Sequence, residues 1–150
     1  MMQRAEKRVE EISQWRGGDP LWTEAQLPQV RAAMEIRRGQ PRNAIDLLRS
    51  VARYERAFPF ALYLRGLAFL RLKQGVEAAS EFQKIVDHRG ANWAPVYPLS
   101  YLGLARGAAL AGDIARARKA YESFFSLWKD ADPDIAILIQ ARRESSELSN

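Results

Sequence analysis

Residues 59–92 read PFALYLRGLAFLRLKQGVEAASEFQKIVDHRGAN. Leu62, Gly66 and Phe69 recur at helical spacing, a turn follows at Lys73–Gly75, and Ala78, Phe82 and Ile85 resume the pattern. Shifted back by 34 residues, Ala32 falls under Gly66, Ala44 under Ala78, Leu48 under Phe82 and Val51 under Ile85, while Arg31 and Arg37 fall under Arg65 and Arg71. Two pairs of helices built alike are therefore predicted. Ala or Gly at the recurring small positions lets one helix approach the other closely, and the larger side chains fill the space between neighbouring pairs. Downstream, Tyr101, Leu104, Ala105 and Ala108 read as the first helix of another pair, with Ala117, Tyr121 and Phe124 on its second. That register needs an insertion of about five residues, placed at Trp93–Tyr97 as a longer loop. Upstream, Ala5, Val9 and Ile12 show the spacing of a second helix whose first is missing.

A 34-residue period with two helices per unit resembles the tetratricopeptide repeat (TPR). The resemblance implies an all-α, right-handed superhelix of about three antiparallel helix pairs with an extra helix at each end. The chain divides accordingly into one domain over 1–150: a partial repeat at 1–19, repeats at 25–58, 59–92 and 98–131, and a capping helix at 133–148. Arg31 and Arg65 stand where the family usually has Leu.

At 150 residues the length suits one domain, and 47% hydrophobic with 27% charged residues suits a globular one. There are 23 Lys and Arg against 18 Asp and Glu, a mild formal charge of +5. No Cys is present, which excludes disulfides and thiolate metal sites. No apolar run reaches the ~18 residues of a membrane span, and residues 1–11 are charged and helix-like rather than a signal peptide. A cytoplasmic location is expected, or a periplasmic one if the parent protein carries an anchor outside this sequence.

In chain order, helices are expected at 4–16, 21–38 or 22–38, 41–55, 59–73, 76–88, 99–111, 114–129 and 133–148. Gly17–Gly18–Asp19–Pro20 ends the first. Pro28 lies inside the second, so that helix kinks or starts near Gln26. Pro41 suits the opening of the third, and Asp113 is a candidate N-cap. At the end, Asp132 is placed to cap, Pro133 to take the first helical position and Asp134 to favour the dipole.

The second half carries a narrower resemblance. EFQKIVDHRG at 81–90, YLGLARGAALAGD at 101–113 and ARKAYESFFSLWKDADPDI at 117–135 resemble the C-terminal TPR regions of large bacterial serine/threonine kinases and winged-helix transcription regulators. This implies a sensory or scaffolding segment, and a chain opening on a second helix reads as a fragment or a shortened gene. The kinase and DNA-binding motifs themselves are absent, so neither activity carries over.

Chemistry is expected nowhere in the chain. The single His88 reads as a polar helix-end residue. Asp130, Asp132 and Asp134 lack the Gly and distal Glu of a calcium loop. No cofactor and no metal are expected. From 31 to 73 ten basic residues (Arg31, Arg37, Arg38, Arg42, Arg49, Arg53, Arg56, Arg65, Arg71, Lys73) face three acidic ones (Glu35, Asp46, Glu55), with Tyr54, Phe58, Phe60 and Tyr63 nearby. Weak binding of nucleic acid or phosphate is one reading of this stretch, but helical periodicity scatters the arginines over several faces.

In such arrays the first helix of each pair lines the concave side. The register places Gln29, Val30, Ala33 and Arg37, then Tyr63, Leu67 and Arg71, then Leu102 and Arg106 there. This set predicts a groove for a peptide or partner protein with apolar anchors and an acidic group. The family's Lys/Asn clamp for chaperone C-termini is not expected, since its positions hold Gln29, Ala33, Leu64, Leu99 and Gly103. The expected function is protein–protein interaction without catalysis, within a larger regulatory or signalling protein. The alternative is a homo-oligomerising module: Ala5, Val9, Ile12 and Trp15 on the N-terminal helix form an apolar stripe suited to a second copy of the chain.

Overall fold

Eight α-helices carry the chain in the computed structural model, which describes residues 2–55, 59–88 and 95–148. They are α1 (Met2–Arg16), α2 (Leu27–Arg37), α3 (Pro41–Arg49), α4 (Phe60–Arg71), α5 (Gly75–Asp87), α6 (Val96–Leu110), α7 (Ile114–Leu127) and α8 (Ala136–Glu147). No strand occurs among the described residues, and no helix there is long and apolar enough to cross a membrane. The protein is all-α.

Three turns join α2 to α3, α4 to α5 and α6 to α7, and they share one geometry. Gly39, Lys73 and Gly112 each adopt a left-handed conformation, with φ of 77°, 60° and 79°. The next residue then donates its N–H five residues back: Gln40 to Glu35 O (2.9 Å), Gln74 to Phe69 O (3.0 Å) and Asp113 to Ala108 O (2.9 Å). This bond satisfies a carbonyl the helix end would leave orphaned. Asp113 goes on to cap α7, accepting the Arg116 N–H at 3.1 Å.

Several boundaries differ from the sequence expectation. Asp19 accepts the N–H groups of Leu21 (2.9 Å) and Trp22 (3.4 Å), so Pro20 opens a new helix as well as ending the old one. α2 begins at Leu27, with Gln26 at its N-cap and Pro28 in its first turn, the start expected near Gln26. The chain stays helical from 20 to 37, and Trp22–Gln26 winds as one π turn, with the Leu27 N–H reaching Trp22 O. Only Leu27 separates the wider turn from Pro28, which has no N–H to give. α3 stops at Arg49 instead of near Glu55, and a 3₁₀ turn follows at Ala52–Tyr54. α6 starts earlier than expected, with Pro98 in its first turn, where no N–H is needed. α8 starts at Ala136, not Pro133: Asp132 folds a separate turn, accepting the Asp134 N–H at 3.1 Å. Of the loop expected at Trp93–Tyr97, Val96 and Tyr97 are already in α6, and Trp93 and Ala94, like Arg56 and Phe58, lie outside the described residues.

Consecutive helices pack on one another, and α2 touches α4 as α4 touches α6. Two buried clusters result. One is built around Ala32, Ala44, Leu48, Val51, Ala61 and Leu64, the other around Phe82, Leu102, Tyr121, Phe124, Leu138 and Ala141. Leu67 packs against both. α5 and α6 meet closely because small residues face each other: a Cβ on Gly107 would stand 2.7 Å from the Ala79 N.

Candidate functional site

Contact of α2 with α4 and of α4 with α6 lays three helices side by side. On α4, Phe60, Tyr63, Leu67 and Arg71 recur at spacings of three and four and share one face. Phe60 is 42% exposed, Tyr63 and Leu67 are half-buried, and Arg71 is exposed. The rings stack, with Phe60 and Tyr63 centroids 6.1 Å apart, and Tyr63 and Phe82 meet edge to face, with centroids 5.7 Å apart. Burial pushes the Tyr63 phenol up, and the nearby Arg106 charge works against that rise. Among the described residues the Tyr63 hydroxyl has no hydrogen-bond partner.

On α2 the corresponding row is less open. Arg37 is exposed and Val30 and Ala33 are half-buried. Gln29 is buried and its amide donates to Ala25 O at 2.8 Å, so its polar group is already satisfied inside. On α6, Leu102 is 1% exposed and belongs to the core. Gln29 and Leu102 therefore support the face from beneath rather than lining it.

Arg106, expected as a free carboxylate grip, is half-buried and engaged. Its Nε and Nη2 donate to the two Glu144 oxygens at 2.8 and 3.0 Å. Tyr121 and Gln140 donate to the same carboxylate at 2.9 and 2.8 Å. Burial works against the Glu144 charge, but the Arg106 hydrogen bonds and charge, with Tyr121 and Gln140, outweigh it and hold the carboxyl below its ordinary value. Burial and the adjoining Glu144 push the Tyr121 phenol upward. Glu144 lies 38 residues from Arg106, and no local spacing marks it as a partner.

The basic stretch breaks up in the same way. Arg65 binds buried Glu81 (Nη2 to Oε2, 2.6 Å) and Glu55, and Lys84 adds a second cation to Glu81 at 2.8 Å. Burial opposes the Arg65 charge, and these hydrogen bonds overcome it. The half-buried Arg65 is thus matched by carboxylates. Arg38 pairs with Glu6 and Glu35, Arg49 with Asp46, and Arg53 with Glu24. Arg31, Arg37, Arg42, Arg71 and Lys73 form no ion pair among the described residues. His88 Nδ1 meets Lys84 O at 2.7 Å. Asp130, Asp132 and Asp134 are all exposed, and no metal-holding group of three His, Asp or Glu occurs among the described residues. Neither a family model, nor a curated protein, nor a solved structure matches this chain.

Proposed function

We propose that the chain is a TPR-type scaffold that captures a peptide or partner protein on the face shared by α2, α4 and α6, with no chemistry of its own. The observation that carries this reading is the row Phe60–Tyr63–Leu67–Arg71: two stacked rings and a leucine, partly open, ending in an arginine with no carboxylate of its own. Arg37 repeats that arginine at the same register on α2. The three matching turns support the repeat reading: Lys73 follows Gly39 by 34 residues, and Gly112 follows Lys73 by 39, which is that offset lengthened by the five-residue insertion. The ligand that fits is an extended or helical segment with an apolar anchor and an acidic side chain, since arginine grips carboxylates bidentately. Parent proteins of this design are regulatory or signalling ones.

The test is capture of partners from a bacterial lysate at low and at high salt, with Tyr63→Ala/Arg71→Glu as the control. Arg71 is exposed but Tyr63 is half-buried against Phe82, so circular dichroism first checks that the double variant keeps its helices. A protein that stays bound at high salt and is lost with the variant is the expected result. Capture of nucleic acid alone, released by salt, would transfer the function to the unpaired arginines.

A further inference from the structure

α1 rests on the molecule by one side only. Glu6 pairs with Arg38, the Ser13 hydroxyl accepts the Trp22 indole N–H at 3.3 Å, and Arg16 reaches Gln26 (3.3 Å) and lies over the Trp22 ring at 5.3 Å. A hollow of about 230 Å³ remains beneath it, between Val9, Arg31, Met34 and Leu47. The opposite side carries Arg4, Ala5, Arg8, Glu11, Ile12 and Trp15 at spacings of three and four. Ile12 is 40% and Trp15 85% exposed. A bare indole leaves much of its ~150–250 Å² in water.

We propose that this face pairs with the same face of a second copy of the chain, helix against helix and antiparallel. The order of charge decides the partner and the direction. Arg4, Lys7 and Arg8 occupy the first half of α1, and Glu10 and Glu11 the second. About a two-fold axis passing between Val9 and Glu10, Arg8 faces Glu11 of the second copy and Glu11 faces its Arg8. A parallel pair would set like charges opposite each other. Arg8 and Glu11 already meet at 3.1 Å within the helix, both exposed, so each can turn to the other copy at little cost. The same axis brings Trp15 against Arg4 and Ala5 of the second copy. Arg4 offers a guanidinium to the indole, as Arg16 does to Trp22 within the chain, and Ala5 leaves room for it. One 15-residue helix buries less than the ~1,200 Å² of a stable interface, so the association is weak and grows with concentration.

The experiment is sedimentation equilibrium of the full chain from micromolar to millimolar concentration, with Trp15→Ala, Arg8→Glu and Glu11→Arg. Wild type is expected to pass from monomer to dimer. Each variant should weaken the dimer by about tenfold or more, and circular dichroism should show the helices unchanged. Mixing Arg8→Glu with Glu11→Arg should restore dimers, because both cross-pairs then match in sign. A wild type that stays monomeric at millimolar concentration overturns the proposal. So does a Trp15→Ala chain that dimerises as wild type does, or a mixture no better than its components.

Discussion

Phe82 has a glycine on either side of its ring, Gly66 from α4 and Gly103 from α6. A Cβ on Gly66 would stand 2.6 Å from the Phe82 Cζ, and one on Gly103 closer still. The ring is fully buried. Gly103→Ala is therefore expected to cost roughly 1–3 kcal/mol by overpacking. In Phe82→Leu the same change should cost clearly less, and thermal unfolding of the four chains measures the difference. Gly66 was legible in advance, because the 34-residue offset sets it over Ala32. Gly103 was not: by that offset lengthened by the five-residue insertion it falls on Leu64, and its need for space comes from a ring in the preceding pair. Lys73 is the other residue at odds with its place. It holds φ of 60° where the equivalent turns have glycine, a conformation that strains a side chain with a Cβ. Lys73→Gly should raise stability by about 0.5–1 kcal/mol, read as a higher midpoint in urea with unchanged slope.

Among the elements, α8 is tied to α6 and α7 through a single carboxylate. The Glu144 carboxyl is held below its ordinary value in the folded chain. Its contribution is present above the unfolded value of about 4.5 and disappears as pH falls through the lower folded one. Glu144→Gln should lower the melting temperature near neutral pH, by the equivalent of about 1–3 kcal/mol for a charge-assisted bond. The gap to wild type should close as the solution is acidified below about pH 4.5; a constant gap would mean that packing, not charge, holds α8. The helices themselves were readable from apolar spacing, because burial of one face imposes a period near 3.6. What that period did not carry was the manner of each ending. A π turn at Trp22–Gln26 barely disturbs the apolar order. The early end of α3 goes with Arg53 and Tyr54, which both reach Glu24 nearly thirty residues away.

At the scale of the whole molecule, helices stack on their sequence neighbours and two clusters meet at Leu67. The face across α2, α4 and α6 was legible at Tyr63, Leu67 and Arg71, where register alone fixes the side. It was not legible at Arg106, whose carboxylate partner comes from α8, two helices later. Periodicity assigns a residue to a side of its helix; only packing shows what has already taken that side. Trp15 and Tyr63 lie on different helices, so the two associations should fail separately. Trp15→Ala should leave peptide capture intact, and Tyr63→Ala/Arg71→Glu should leave the sedimentation profile intact. The matching turns have one more consequence. Gln40 (φ −114°, ψ 63°) and Gln74 (φ −92°, ψ 82°) bracket a stretch that leaves on nearly the backbone angles on which it entered. Such a stretch can be copied in tandem in the coding DNA, and the copy would join at a turn of the same backbone angles. Length, in steps of one helix pair, is then the property that descent can alter here without inventing a new joint.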